Sequence, residues 1–452
     1  MRLIPDPGLR TVAGGQVLIG GSPLRVLRLS SEGARLVTGW LDGKTVGTDS
    51  GPRRLAERLV RAGLAHPLPK QATHSAQDVT VVVPVRDHAE GLTLLRGGLR
   101  DTAVASVLLI DDGSASPVAG ATVRHNTAGG PASARNAGAG LADTEFIAFL
   151  DADVVPQPGW LEPLLAHFSN PEVAVVAPRV RSLPGPTALA RYERERSPLD
   201  LGPLPADVRP GSRVGYVPSA ALVIRTAVLR EHGGFDEGMR FGEDVDLIWR
   251  LVAAGHRVRY EPLSQVLHAP RATWPALMRQ RFGYGTSAAP LARRHGRAVA
   301  PVRLSPWTAL AWTAATAGLP RTGLGVALAT AALLPRKLAP AGVPAAESLR
   351  LAMLGHLGAG RWLADAVVRS WWPVAVPVLA SSRAGRAMLG LALVSRLRGR
   401  GAALDPARWW AAAVADDLAY GAGVWWGALR HRTLGPLLPD LTPWPWHQGE
   451  KK

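Results

Sequence analysis

The sequence predicts an α/β fold: a mostly parallel sheet between helices, with a small unit before it and a helical region after it. The first observation is a series of apolar, β-branched runs separated by helical stretches, a pattern typical of a parallel sheet covered on both faces. The second is the length of 452 residues, which suits two or three domains. The third is the composition of the C-terminal third of the chain, which is rich in Ala, Leu and Trp. The apolar runs lie at 79–83, 107–110, 146–150 and 173–177.

Residues 1–70 predict a small hairpin-and-helix unit. Two short apolar runs around a Gly-Gly turn predict a hairpin over 17–29. Two helices are expected to follow, the first ending at Gly43 and the second at Gly63. Residues 67–77 (PLPKQATHSAQ) have the composition of a linker. The sheet-forming domain is then expected over 78–300.

The last segment, 301–452, predicts helices that dock on a membrane surface. A helical hairpin is expected at 304–337, because its two apolar halves are each shorter than the ~20 residues that a spanning helix needs. Two further helical segments, 361–380 and 408–426, carry both Trp and internal charges. Pairs of Trp suit the interface of a membrane. A buried helical subdomain remains the alternative. The pairs are Trp371-Trp372, Trp409-Trp410 and Trp425-Trp426.

Composition excludes several classes of protein. The chain has no Cys, which excludes disulfides and zinc-thiolate sites and suits a reducing cytosol. Its formal net charge of +17 fits an anionic membrane surface, a phosphorylated substrate or nucleic acid. No nucleic-acid-binding motif is recognisable, so no nucleic-acid partner is expected. The N-terminal MRLIPDPGLR lacks the apolar core of a signal peptide. We expect a cytoplasmic protein associated with the cytoplasmic face of a membrane.

Acidic motifs follow three of the predicted strands, where ligands of open α/β sheets bind. The sharpest is Asp151-Ala152-Asp153, directly after the buried run FIAFL. In extended backbone, residues i and i+2 point to the same face. Two carboxylates on one face repel each other unless a cation lies between them. Mg²⁺ and Mn²⁺ accept such ligands together with phosphate oxygens, so the motif predicts a divalent metal.

Two other acidic segments have both a functional and a structural interpretation. The Asp111–Ser114 turn (DDGS) can present a carboxylate to the N–H of a nucleotide base, or its Asp and Ser can simply cap the turn. Glu243 and Asp244 open a helix predicted to end at Gly255, where acids usually complement the helix dipole. The upstream stretch 233–237 (GGFDE) favours a functional role for them.

Taken together, these motifs resemble family 2 glycosyltransferases with the GT-A fold, over residues 78–270. The resemblance implies a nucleotide-sugar-binding core and a metal-assisted, inverting transfer from a UDP-sugar, using Mg²⁺ or Mn²⁺. The motifs are VVVPVRD (81–87), LIDDGS (109–114), GGPASARNAG (129–138), FLDAD (149–153), GGFDE (233–237) and GEDVDLIWRL (242–251).

The resemblance implies a role for each motif residue. Asp244 is the expected general base, and Asp153 is the expected direct metal ligand. His268 is expected to complete the metal or diphosphate shell, although a lone His is often structural. Arg135 is expected to help hold the nucleotide, with an ordinary surface Arg as the alternative. The remaining nucleotide-sugar contacts are expected at Pro84, Asp87, Asp112 (to the uracil N–H) and Asp151 (through the ribose or a water).

A closer resemblance is to the glycosyltransferases of the mycofactocin system. The front unit, through 29–34 (LSSEGA) and 55–63 (LAERLVRAG), is similar to winged-helix-like peptide-binding units of the PqqD family. Residues 213–218 (RVGYVP) and the Trp-rich tail extend the similarity. The resemblance implies β-linked transfer of glucose to a redox cofactor derived from a ribosomal peptide, and therefore a peptide-derived acceptor.

Two other functions remain open. A polysaccharide or lipid-linked sugar transferase would share the core, but processive synthases carry a QxxRW-like motif, and residues 279–284 (RQRFGY) lack the Trp. A non-catalytic peptide-binding scaffold is disfavoured by the intact Asp151, Asp153 and Asp244. A nucleotide-dependent dehydrogenase is excluded, because no strand is followed by GxGxxG and a helix.

Overall fold

The computed structural model describes residues 1–68, 73–399 and 404–441, so residues 69–72 of the predicted linker and parts of the tail lie outside the described residues. The strands are β1 (Arg2–Pro5), β2 (Arg10–Val12), β3 (Val17–Gly20), β4 (Arg25–Arg28), β5 (Ala65–Leu68), β6 (Val79–Val85), β7 (Ser106–Asp111), β8 (Val123–Arg124), β9 (Phe146–Leu150), β10 (Val154–Pro156), β11 (Val173–Ser182), β12 (Ala206–Asp207), β13 (Ala221–Arg225) and β14 (Arg257–His268).

Helices lie between the strands and make up most of the described chain after β14. They are α1 (Ser31–Leu41), α2 (Ser50–Arg61), α3 (Ala89–Leu99), α4 (Pro131–Leu141), α5 (Glu162–Leu165), α6 (Ala188–Arg196), α7 (Thr226–Glu231), α8 (Glu243–Ala253), α9 (Trp274–Thr286), α10 (Ala288–His295), α11 (Pro306–Thr316), α12 (Pro320–Leu338), α13 (Ala345–Arg369), α14 (Trp372–Ala380), α15 (Arg383–Val394) and α16 (Pro406–Arg430).

The chain forms two compact units. The first contains most of the front segment and the whole large sheet, and the second contains the C-terminal helices. The first comprises Met1–Arg10, Ile19–Arg25 and Ser31–Arg271, and the second comprises Thr11–Leu18, Val26–Ser30 and Ala272–Lys452.

The predicted front hairpin and both of its helices are present. β3 and β4 are neighbours in a three-stranded sheet with β2, and α1 and α2 end two residues before the glycines expected to stop them. The pairing of β1 with β5 was not predicted, because it joins residues at least 60 positions apart. Its register fixes His66 opposite Ile4.

The large sheet is mixed, which corrects the prediction of a mostly parallel sheet. Its order is β10-β14-β11-β13-β9-β6-β7-β8, with β12 beside β14. Strands β9, β6, β7 and β8 are mutually parallel, as expected. However, β13 runs antiparallel to both of its neighbours, and β10 and β12 run antiparallel to β14. Half of the eight strand pairings are therefore antiparallel. Every residue of β9 is buried, so this strand is covered on both faces as predicted.

Two antiparallel pairings, β13 with β9 and β10 with β14, bring distant residues to the carboxyl edge of the sheet. β13 begins opposite the end of β9, with Ala221 paired to Leu150. In the same way, the end of β14 lies opposite β10, with His268 paired to Val154. Because of these pairings, the segments around Ser219 and His268 reach the turn that follows β9.

The second unit is a helical assembly with buried charges. The predicted hairpin is present as the α11–α12 pair, which pack on each other. Asp416 and Asp417 of α16 are almost fully buried. Asp416 pairs with Arg281 at 2.9 Å, and Asp417 pairs with Arg369 and Arg396 at 3.1 and 3.0 Å. The internal charges of the tail are therefore satisfied inside this unit.

The Trp pairs do not all face outward, which corrects the expectation of a Trp belt. Trp409 is 1% exposed and its indole N–H donates to the carbonyl of Arg396, whereas Trp426 is 55% exposed.

Among the described residues, no single helix is both long and apolar enough to cross a membrane. The consecutive helices α13 and α14, bent by 107° at their junction, meet that length and composition test only together.

Candidate active site

The acidic motifs meet at one edge of the sheet. β6, β7 and β9 run parallel, so the segments that follow them, at Asp87, Asp112 and Asp151, leave the sheet at the same edge. This is the edge at which open α/β sheets bind ligands. Pro84 lies inside β6, one residue before its end.

The DDGS turn is held by its own carboxylates. Asp111 is fully buried and accepts from the backbone N–H groups of Ser114 and Val118, at 2.9 and 3.2 Å. Burial alone would raise the pKa of Asp111, but hydrogen bonds from the side chain and backbone of Ser114 and from Val118, together with nearby Arg124, outweigh it and lower the pKa. Asp87, with φ +51°, accepts from the N–H of Ala115 at 2.7 Å. Asp87 therefore joins the ends of β6 and β7.

Asp112 anchors the glycine loop before α4. Its two carboxylate oxygens accept from the N–H groups of Gly129 and Gly130, both at 2.8 Å, and its Oδ1 lies 3.1 Å from Nδ1 of His125. It is 4% exposed. A contact from Asp112 to a uracil N–H would therefore have to use a remaining carboxylate lone pair, in addition to these bonds.

The segment Asp151–Asp153 is a turn, which corrects the extended backbone expected there. The N–H of Val154 donates to the carbonyl of Asp151 at 3.1 Å. The side chains still converge, because an oxygen of Asp151, an oxygen of Asp153 and a ring nitrogen of His268 all lie within 4.8 Å of one another. The Asp153 side chain is 10% exposed, so this is not a solvated surface turn.

The tautomer of His268 favours a cation at this place. Its Nδ1 lies 2.8 Å from the carbonyl oxygen of Ala269, which can only accept, so Nδ1 carries the proton. In the neutral ring, Nε2 then points a lone pair at Asp153 Oδ1, 3.3 Å away. Two lone pairs repel each other unless a cation lies between them. The set of one imidazole and two carboxylates therefore fits a divalent metal.

Arg135 connects the Asp151–Asp153 turn to the helix that carries the expected base. It is 3% exposed, which excludes the surface Arg considered above. Its guanidinium donates to Asp151 at 2.7 Å and to Glu243 at 2.9 Å, and it lies over the ring of Phe235. One oxygen of Asp151 is therefore already paired with Arg135.

Glu243 and Asp244 differ in accessibility. Glu243 is buried, and its burial together with the adjacent Asp244 raises its pKa to about 7. Asp244 is partly exposed and accepts from the N–H groups of Val245 and Ser219, at 2.8 and 3.2 Å. Burial and the nearby Asp151 raise the pKa of Asp244, although these hydrogen bonds and Arg135 oppose them. Of the two residues, only Asp244 is partly exposed.

The loop before Ser219 also contacts the front segment. Arg213 donates to Asp6 at 3.0 Å, and Asp6 is bonded to the buried His66 at 3.0 Å. Burial opposes ionisation of Asp6, but its bonds to His66, Gly8 and Arg213 lower its pKa to about 2. The same loop therefore contacts the front segment at one end and Asp244 at the other.

Several residues of the site were not identified from the sequence. Ser219 contributes a backbone N–H, which any residue type except proline could supply. The pairing of Glu243 with Arg135 joins positions 108 residues apart. Arg271 lies 3.5 Å from Asp153, and only its proximity to His268 in the chain could have indicated it.

Comparison with known proteins agrees with these motifs. Residues 80–230 match the model of glycosyl transferase family 2. The chain is 42% identical over 465 aligned residues to the pre-mycofactocin glycosyltransferase of Mycobacterium tuberculosis, covering 96% of this chain and 97% of that protein.

More distant relatives share part of the chain. The succinoglycan biosynthesis protein ExoU of Rhizobium meliloti is 29% identical over 201 residues, which cover 40% of this chain and 59% of that protein. Among solved structures, a mannosyltransferase from Pyrobaculum calidifontis in complex with GDP-Man and Mn²⁺ has a TM-score of 0.44 and 17% identity. The match covers 82% of this chain and 92% of the mannosyltransferase chain. This likeness is too distant to support a conclusion about activity.

Proposed function

The chain belongs to the family 2 glycosyltransferases, in the group represented by the pre-mycofactocin glycosyltransferase, and we propose that it transfers glucose from UDP-glucose to mycofactocin or its precursor. The acceptor in this proposal is a redox cofactor derived from a ribosomal peptide, and the new linkage is β. The proposal for the acceptor depends on the 42% identity over nearly the whole chain.

The single observation that carries the proposed chemistry is the placement of two carboxylate groups at one sheet edge. Asp153 lies beside His268 at a site suited to a divalent metal. Asp244 follows Glu243 in the chain, and Arg135 joins Glu243 to Asp151 of the turn. The leaving diphosphate needs a carboxylate that can hold a metal. The incoming hydroxyl needs a separate carboxylate that can accept its proton.

The donor is proposed to bind along the ends of β6, β7 and β9. Pro84, Asp87 and Asp112 would contact the uridine, and Asp151 would contact the ribose directly or through a water. Asp153 and His268 would hold the metal, and Mn²⁺ is preferred over Mg²⁺ because one donor is an imidazole. When bound, the metal offsets the negative charge that builds up on the diphosphate.

Asp244 is the proposed general base. Its raised pKa makes it a stronger proton acceptor than an ordinary aspartate, provided that it is ionised at the working pH. The two backbone N–H groups that bind its oxygens fix its orientation. An attack opposite the leaving diphosphate inverts the anomeric centre, so an α-linked donor gives a β-linked product.

The front segment is proposed to recruit the peptide-derived acceptor as a PqqD-like unit. This proposal is supported by its hairpin and two helices. It is also supported by the loop that runs from Arg213, bonded to Asp6, to Ser219, bonded to Asp244. An acceptor held near Asp6 of the front segment would thus lie close in space to the loop that orients the base.

The helical unit is proposed to dock on the cytoplasmic face of a membrane. Large apolar side chains are exposed on several of its helices, a feature that marks interaction surfaces. Trp residues and positive charge both favour an anionic lipid interface. Examples are Trp307 at 59%, Leu328 at 61%, Leu357 at 65%, Trp362 at 57% and Trp426 at 55% exposed.

A polysaccharide or lipid-linked acceptor is the second candidate, favoured by the partial identity to the succinoglycan biosynthesis protein. A non-catalytic peptide-binding scaffold is the third. One experiment separates all three functions. Purified protein is incubated with Mn²⁺ and a panel of UDP-sugars, without acceptor and separately with the peptide-derived acceptor, a lipid acceptor or a glycan acceptor. Release of UDP that the acceptor accelerates supports the proposal, acceleration by a lipid or glycan supports the second candidate, and no turnover supports the scaffold.

A further inference from the structure

Two histidines far apart in sequence meet at the surface of the first unit. His232 follows the last residue of α7, and His256 lies between α8 and β14. Their Nε2 atoms are 3.0 Å apart and their rings are nearly perpendicular, at 89°. Glu231 is exposed beside them, and one ligand atom from each of the three lies within 4.8 Å of the others.

The backbone holds both histidines in place. The N–H of His232 donates to the carbonyl of Val228, and its own carbonyl accepts from Arg250 at 2.6 Å. The N–H of His256 donates to the carbonyl of Leu251 at 3.0 Å. The convergence of the two rings is therefore imposed by ordered helix ends.

We propose that His232, His256 and Glu231 form a second metal site, which takes a borderline transition-metal ion such as Zn²⁺. Two imidazole nitrogens at ~2.0–2.1 Å from one tetrahedral ion lie about 3.3–3.4 Å apart, so the two rings need to separate by only a few tenths of an ångström from the observed 3.0 Å. Rotation of the exposed Glu231 side chain brings its carboxylate to the same ion. A water completes four-coordination, and the partial exposure of both rings leaves a path for the ion to enter.

The chemistry of this site differs from that of the site at Asp153. One carboxylate and two imidazoles favour Zn²⁺ and similar ions, whereas the site at Asp153 and His268 is richer in carboxylate and suits Mn²⁺. A bound ion would join the end of α7 to the turn after α8. The GGFDE segment and the start of α8, with Asp244, lie between these two points in the chain.

The test measures Zn²⁺ binding to the full chain after chelator treatment and dialysis. Wild type is compared with His232→Ala, His256→Ala and Glu231→Gln. We expect each His variant to lose one equivalent of tightly bound Zn²⁺. Glu231→Gln should bind that equivalent at least ~10-fold more weakly, since even an outer-shell partner contributes ~10–100-fold to metal affinity.

Two controls make the result specific. His431→Ala removes a half-buried histidine that also follows a helix, α16, and should leave Zn²⁺ binding unchanged. His268→Ala should retain the equivalent assigned to His232 and His256. A rise in Tm on adding Zn²⁺ should occur in wild type and in both controls, and be reduced in the His232 and His256 variants.

Equal Zn²⁺ stoichiometry and affinity in wild type and in both His variants would overturn the proposal. The two rings would then be only a hydrogen-bonded pair. Loss of Zn²⁺ from His268→Ala alone would assign the bound ion to the first site and would overturn it equally. Far-UV circular dichroism of each variant without metal shows whether the variant has folded.

Discussion

Replacing Asp244 by Asn separates catalysis from folding. The carboxylate accepts two backbone hydrogen bonds, one at each oxygen, and an amide has only one oxygen. The shorter bond, from Val245 at 2.8 Å, is expected to survive. The amide nitrogen then faces the N–H of Ser219, which leaves that buried donor unsatisfied at a cost of about 1–3 kcal/mol. This is a fraction of the ~5–15 kcal/mol stability of a domain, so the variant should fold.

The effect on the reaction should be larger than the effect on folding. Removal of a general base typically costs ~10²–10⁴-fold in rate, equivalent to about 3–5 kcal/mol in the activation free energy. UDP affinity should change little, because the proposed nucleotide contacts lie at Pro84, Asp87 and Asp112. In wild type the rate should fall as the pH drops through the pKa of Asp244, which burial raises. In the Asn variant the transfer rate should no longer fall in this way as the pH drops.

The assay measures transfer rate and UDP affinity on the same Asp244→Asn preparation, with the unfolding free energy measured in urea. Glu162→Gln is the matched control, because Glu162 is an exposed acid in the first turn of α5 and has no proposed role in the reaction. If acids at helix starts act only on the helix dipole, both variants will transfer at near wild-type rates. Transfer within tenfold of wild type would refute the base assignment, and lost UDP binding would relocate Asp244 to the nucleotide site.

Three further predictions concern the metal, the buried glutamate and the helical unit. Asp153→Ala and His268→Ala should each abolish metal-dependent binding of UDP-glucose, measured by calorimetry with and without Mn²⁺; full turnover in excess chelator would contradict this. Glu243 has a folded pKa of about 7 against an ordinary 4.5, so its stabilising effect is complete below pH 4.5 and is lost as the pH rises through 7. That loss is at most about 3 kcal/mol, and Glu243→Gln should remove it from urea-unfolding curves measured across this range; an unchanged pH dependence would show that Glu243 is not the titrating group. Combined Trp307→Ala, Trp362→Ala and Trp426→Ala should reduce flotation with anionic lipid vesicles, whereas Leu263→Ala, at an exposed position of β14, should not; equal flotation would argue against docking through these side chains.

Features of the site that depend on short-range sequence were predicted well. The strand β9 followed by Asp151-Ala152-Asp153 is visible because an apolar run ends abruptly in two acids. The helix α8 was predicted with its acids in the first turn, from its apolar periodicity and the glycine after it. In both cases the local sequence alone determines the element.

Features that depend on strand direction were not predicted. The apolar run of β13 is compatible with either direction, and only its antiparallel insertion beside β9 brings Ser219 to Asp244. The turn at Asp151–Asp153 also differs from the extended backbone expected there, because the N–H of Val154 bonds back to Asp151. A surface Arg remained an alternative for Arg135, because its partner Glu243 is 108 positions away and its burial could not be predicted.

The central claim is best tested by characterising the product. Purified protein is incubated with UDP-glucose, Mn²⁺ and the peptide-derived mycofactocin precursor, and in parallel with a lipid or a glycan acceptor. Each acceptor is then analysed by mass spectrometry and by NMR at the anomeric centre. We predict an acceptor that gains hexose in a β linkage, with UDP released in equal amount. An unmodified acceptor alongside transfer to a lipid or glycan, or an α linkage, would contradict the account.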